Sequence, residues 1–152
     1  MRRATLLGLL LAAACQSQVT SPAASSPPST EPEAPQAPPL HLTLTVRDPS
    51  GDVGPFVLDD LETLAIEVQG VHLGVGDHAL RLDVTGPDGT LYAQFPATLT
   101  SDRQGHGSAS ISLQVRGTTI ETYRQLGTWQ VVAVLDGTPL AASSVEVVDA
   151  AQ

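Results

Sequence analysis

The sequence contains no lysine, one cysteine and only five aromatic residues among its 152 positions. Each scarcity closes off a class of function. A nucleic-acid binder displaces counterions with clustered Lys and Arg, and here there are seven Arg, two of them at positions 2 and 3. A polybasic attraction to anionic lipid head groups is excluded on the same ground. One cysteine rules out an internal disulfide and any Cys-rich zinc site. Carbohydrate platforms and protein hot spots favour exposed aromatics. Of Phe56, Tyr92, Phe95, Tyr123 and Trp129, only Tyr92 and Phe56 are expected to face outward. Nor does any later segment approach the ~20 apolar residues of a membrane-spanning helix.

What is present is unevenly distributed. Seven of the twelve prolines lie between Pro22 and Pro39. The stretch beyond them has ordinary globular composition, and its ~110 residues suffice to bury a core without disulfides. Residues 1–15 read MRRATLLGLLLAAAC: two arginines, a short apolar run from Ala4 to Ala14, three small residues, then Cys15. The apolar run is about half the length needed to span a bilayer, which suits an export signal. Ala-Thr-Leu-Leu after the arginines matches a twin-arginine signal poorly, so the pair reads as ordinary positive charge.

This arrangement resembles the lipobox of bacterial lipoproteins, with Ala12 where leucine is usual and Leu11 one position earlier. The resemblance implies cleavage before Cys15, a thioether from its sulfur to diacylglycerol, and acylation of the new amino terminus, palmitate included. Each buried methylene contributes ~0.8 kcal/mol, so two or three chains hold where one is marginal. An ordinary secretory signal with a free thiol is the alternative. With residues 1–14 removed, five Arg face sixteen Asp and Glu, a net charge of −11, which suits a self-repelling exported domain. Gln16 after the cysteine implies, by the enteric rule, the outer rather than the inner membrane.

Residues 15–39 then form the lipidated cysteine and a tether rich in Pro, Ser and Ala, with Val19 its only large aliphatic residue. Such a segment cannot bury enough surface to offset its ordering entropy. At ~3.1 Å per residue, its 24 residues beyond the cysteine reach at most ~75 Å.

From residue 40 to residue 149 the pattern becomes alternation of period two. Leu40, Leu42, Leu44 and Val46 share one face, as do Leu64, Ile66 and Val68, then Leu80, Leu82 and Val84. Gly86-Pro87-Asp88-Gly89 is a turn, and Leu91, Ala93 and Phe95 form the returning strand until Pro96 marks an edge or a switch of sheet. Ala109, Ile111, Leu113 and Val115 make the next strand. Residues 119–126 suggest one helical turn with Ile120, Tyr123 and Leu126 inward. Trp129, Val131, Ala133 and Leu135 follow, and Val132 and Val134 make that strand apolar on both faces, as a central strand requires. Asp136-Gly137 predicts a hairpin into a last strand with Val145 and Val147 inward. About seven short strands at this spacing predict an all-β, Greek-key β-sandwich, with a small barrel as the alternative.

Within this region Val84-Thr85-Gly86-Pro87-Asp88-Gly89-Thr90, Gly105-His106-Gly107-Ser108, Leu126-Gly127-Thr128-Trp129-Gln130-Val131 and Asp136-Gly137 resemble immunoglobulin-like domains of the macroglobulin type. The resemblance spans residues 78–149 and implies the fold. The thioester and bait region of full macroglobulins are missing, so protease trapping is not implied.

Candidate chemistry is sparse. His41, His72, His78 and His106 do not show the converging spacing of a metal site, and loop or strand-edge histidines are far commoner. Asp48, Asp52, Asp59 and Asp60 lack the spacing of a calcium loop and read as a solvated acidic loop. Ser108, Ser110 and Ser112 alternate along one strand face outside any nucleophile elbow. The expectation is therefore a non-enzymatic module of the cell envelope with no catalytic, metal or cofactor residues, Cys15 its one modified residue. Its partners would be the bilayer, through acylated Cys15, and another envelope protein; nucleic acid is not among them. A structural lipoprotein without a specific partner and a cryptic metal-dependent or hydrolytic enzyme are the alternatives. Mass spectrometry of the mature protein should find an amino terminus at Cys15 carrying diacylglycerol, in the membrane fraction; an unmodified chain starting at Met1 would refute the lipoprotein reading.

Overall fold

The computed structural model describes residues 37–150. The signal, Cys15 and nearly all of the tether lie outside the described residues. The elements are β1 (His41–Arg47), β2 (Phe56–Val57), a single 3-10 turn (Leu58–Asp60), β3 (Thr63–Val71), β4 (Gly76–Thr85), β5 (Leu91–Ser101), β6 (Gly107–Gln114), α1 (Thr119–Thr122), β7 (Gly127–Leu135) and β8 (Thr138–Val148). The fold is all-β, as the alternation predicts.

The strands form one curled eight-stranded sheet in the order β1-β3-β6-β5-β4-β7-β8-β2. The expectation of seven strands in two separate sheets therefore changes: the ladder runs on between the two halves. It does so through a single residue pair, Ser101 with Gly107, between β5 and β6. All neighbours are antiparallel except β2, which lies parallel to β8 through Phe56 opposite Val147.

Period-two alternation fills the interior. Leu42 and Val46 of β1, Leu64, Ile66 and Val68 of β3, Leu80, Leu82 and Val84 of β4, and Trp129, Val131, Ala133 and Leu135 of β7 are all buried in one cluster. Val145 and Val147 of β8 complete it. β7 sits between β4 and β8, and Val134 is buried on its opposite face, which explains why its sequence is apolar on both sides. The void enclosed by Val46, Ile66, Trp129, Val131 and their neighbours is only about 10 Å³, too small for a ligand and marginal even for one water.

Several residues turn the other way from the alternation. Phe56 is 4% exposed, not outward, because the segment Phe56–Leu61 crosses the end of the core and also buries Leu58 and Leu61. Tyr92 packs edge-on against Trp129, ring centroids 5.2 Å apart at 82°. A bulge causes this: Val84 faces Ala93 but Thr85 faces Leu91, so Tyr92 is the extra residue and Leu91 is left exposed. Tyr123 is 73% exposed, because α1 ends at Thr122 and only Ile120 of its expected inner face is fully buried. Leu40 precedes β1 and is likewise exposed.

Two turns are set by backbone conformation. Asp136 and Gly137 both have positive φ, 48° and 85°, between Leu135 and Thr138, giving the tight two-residue hairpin expected of Asp-Gly. Gly105, at φ 76°, has no room for a side chain: a Cβ there would lie 2.8 Å from the Leu73 carbonyl oxygen. Its own carbonyl accepts the Leu73 N–H at 3.0 Å, which pins the connection after β3 to the β5–β6 turn.

Trp129→Ala should cost ~3–5 kcal/mol in urea unfolding, because it empties the centre of the cluster and strips Tyr92 of its partner. Gly105→Ala should cost ~1–3 kcal/mol through left-handed strain alone, more if Leu73 cannot move.

Candidate functional site

A surface cleft lies where β5 and β6 part company. β5 pairs with β4 along its whole length, Leu91 to Ser101, whereas it meets β6 only at Ser101. The resulting cleft has a volume of about 570 Å³ and is lined by Gln69, Thr100, Ser101, Asp102, His106 and Ser108 among others. Its walls mix polar Gln69, Thr100, Ser101 and Ser108 with apolar Val71, and Asp102 and His106 are its titratable groups.

The backbone closes the cleft at the β5–β6 turn, and β5 runs on from it with one side open. Asp102 N–H donates to the His106 carbonyl at 2.9 Å across the turn. By the alternation of an antiparallel ladder, the even-numbered residues of β5 therefore point their backbone groups away from β4. Residues 91–100 have no ladder partner on that side among the described residues. Pro96, one of those outward positions, lacks an N–H, as suits an edge.

Asp102 organises the turn. Its Oδ1 accepts the N–H groups of Gln104 at 2.8 Å and His106 at 2.9 Å, and these donors, His106 first, hold its pKa below the usual carboxylate range. Ser101 is the buried polar residue of the region. Its hydroxyl donates to the Gly74 carbonyl and accepts the Gly76 N–H at 3.2 Å.

Beside this end of the sheet, His78 bridges two segments. Nδ1 lies 2.9 Å from Asp136 Oδ2 and Nε2 lies 2.7 Å from the Gly74 carbonyl oxygen. Asp136 in turn accepts the Ala79 N–H at 2.9 Å.

The other residues singled out in the sequence do not converge. His41 is exposed on β1, and His72, at φ 59°, turns its Nδ1 to the Pro39 carbonyl at 3.1 Å. His106 lines the cleft, but His78 meets neither it nor His72. Asp48 caps its own turn: Ser50 Oγ donates to both carboxylate oxygens and Asp52 N–H to Oδ1, and the Ser50 hydroxyl chiefly lowers its pKa. Asp48, Asp52 and Asp60 border one depression without gathering as a ligand set, while Asp59 pairs with Arg124 at 3.2 Å. Ser108, Ser110 and Ser112 are exposed on β6, with Ser108 at the cleft. Among the described residues no three His, Cys, Asp or Glu side chains gather as metal ligands would.

Two features had no usable sequence signal. The His78–Asp136 pair joins positions 58 apart, and only the β4–β7 register, Leu80 opposite Leu135, brings them together. The cleft exists because β5 and β6 separate, which periodicity does not reveal.

No family model matches the chain, and no curated protein matches it. Solved structures of similar shape include an immunoglobulin-like protein from Pseudomonas aeruginosa, at 16% identity and a TM-score of 0.44, over 74% of this chain and 98% of that one. A Pseudomonas fluorescens alkylpurine DNA glycosylase bound to DNA gives 12% identity and a TM-score of 0.48, over 72% of this chain. A β-D-glucoside glucohydrolase from Trichoderma reesei gives 13% and 0.42, also over 72%. This chain spans only 30% and 19% of those two enzymes, and their activities remain theirs.

The turn carboxylates give a pH prediction. Asp48, Asp88, Asp102 and Asp136 are all held below their ordinary pKa, by Ser50, by Thr90, by His106 and by His78 respectively. Groups lowered in the folded state contribute stability above the ordinary carboxylate value and lose it as pH falls through the lowered one. The urea midpoint should therefore drop on acidification below the ordinary carboxylate range, and Asp102→Ala should flatten that drop.

Proposed function

We propose that the chain is a lipid-anchored cell-envelope protein whose immunoglobulin-like domain binds another envelope protein by accepting a strand along the open edge of β5. The carrying observation is that edge: residues 91–100 are paired on one side with β4 and unpaired on the other. An edge of this kind supplies main-chain donors and acceptors to an extended partner segment, and side chains on alternate positions select it.

The strand order supports the immunoglobulin-like reading. β1, β3 and β6 form one half of the curl and β5, β4, β7 and β8 the other, with β3 to β4, β5 to β6 and β6 to β7 crossing between them. The address rests on the signal and Cys15. The bilayer anchor confines the protein to one surface, so a modest edge affinity acts at a raised local concentration. The inner-face residues of the domain serve packing, whereas the open edge of β5 offers backbone groups for recognition.

The test is crosslinking and pull-down from membranes with wild-type protein and a Thr98→Pro variant. Proline at 98 removes one outward N–H while leaving the β4 ladder intact. A stoichiometric partner captured by wild type and lost in the variant, with thermal stability retained, is the expected result. Equal capture by both moves recognition to the loops; no partner with either favours a structural lipoprotein.

A further inference from the structure

We infer that His78 is held as an imidazolium with both ring N–H groups donating, and that this doubly protonated ring latches the β3–β4 connection onto the β7–β8 turn. Both ring nitrogens face oxygen: a carboxylate of Asp136 at 2.9 Å and the Gly74 carbonyl at 2.7 Å. Neither oxygen can donate. Neutral imidazole has one donor and one acceptor nitrogen, so it would set a lone pair against an oxygen at one of these contacts. Only the cation satisfies both.

The charges around the ring favour the cation. Asp136 faces it from the β7–β8 turn and Asp77 from its own strand, β4. β5 sets uncharged Leu99 opposite His78, Thr100 opposite Asp77 and Ser101 opposite Gly76, with the Thr100 hydroxyl donating to Asp77 at 2.7 Å. On the β3–β4 connection, His72 is turned away to Pro39. The His78 pKa is raised, first by the Gly74 carbonyl and then by Asp136, against some desolvation of a side chain 17% exposed.

The latch reaches the cleft through one residue. Gly74, held by His78, also accepts from the Ser101 hydroxyl, and Ser101 is half of the pair that joins β5 to β6. The connection is also held at Leu73 by Gly105 and at Gly74 and Gly76 by Ser101, whereas Val75 between them is 71% exposed.

The pH window follows from the two signs. A raised histidine contributes fully below its ordinary pKa and is lost as pH rises through the raised value. Lowered Asp136 contributes above its ordinary value and is lost as pH falls through the lowered one. The latch is closed between these limits and opens on the alkaline side by loss of one proton from His78. Opening leaves the Gly74 carbonyl to Ser101 alone and loosens the Ser101 contacts with Gly74 and Gly76 at the closed end of the cleft.

Nitrogen-15 imidazole NMR on the full chain in detergent tests this directly. At neutral pH both His78 ring nitrogens should show protonated shifts, and Asp136→Asn should move the His78 titration to lower pH. The Gly76 amide, which donates to Ser101, should lose protection as His78 titrates, beyond the intrinsic base dependence of exchange. His78→Gln, which cannot donate to both oxygens, should abolish that step. A singly protonated His78 ring at neutral pH overturns the proposal even if the variants fail to fold. So does Gly76 protection that ignores both the titration and His78→Gln.

Discussion

The structure turns on the junction of Ser101 and Gly107. Eight strands with one apolar face each can bury those faces only if the sheet curls on itself, and at the junction two well-paired halves are joined by one residue pair. Space there is tight. A Cβ on Gly107 would lie 3.0 Å from the Thr100 carbonyl oxygen and 3.1 Å from a Leu73 methyl. Leu99, just before Ser101, is fully buried, so the polar junction sits on the edge of the apolar core. The hydroxyl of Ser101 would be costly there without partners. Gly74 and Gly76 supply them, which ties the geometry of the curl to the conformation of the β3–β4 connection.

That coupling explains the density of polar contacts at this end of the molecule. Leu73 N–H is held by Gly105, Asp102 by two turn amides, and His78 by Gly74 and Asp136. The opposite end needs less: Phe56, Leu58 and Leu61 close it by apolar burial and a short parallel pairing to β8. One end is sealed by hydrophobic area and the other by directional bonds, some of them to titratable groups.

The sequence made the inner rows of β1, β3, β4, β7 and β8 legible because a half-buried strand must alternate, and the Asp136-Gly137 hairpin legible because few dipeptides tolerate two positive φ angles. It hid what depends on register. A single bulge opposite Val84 exchanged the roles of Leu91 and Tyr92, and no local pattern marks a bulge there. Phe56 stands among turn residues and acidic side chains, so its burial came only from the path of the chain across the core. Pro96 was read as an edge or a switch; it is an edge, and β5 continues five residues past it because proline on the outward side costs no ladder bond. The site fared worst, since Ser101, Gly74, His78 and Asp136 come from four segments that only the tertiary fold brings together.

An open edge is also a hazard, since two copies could pair through it. β5 carries its own restraint. Pro96 breaks the row of donors near its middle, so a second β5 laid alongside would face a gap in the ladder. The strand itself is uncharged from Leu91 to Ser101, so repulsion must come from elsewhere, and it comes from the chain as a whole, with sixteen acidic residues against seven arginines. Like charge at that density opposes self-association at long range, while the proline limits it at contact. A partner that supplies complementary charge and an extended segment matched around position 96 escapes both restraints. The features that keep identical copies apart are then the same ones that leave the edge available to a different protein.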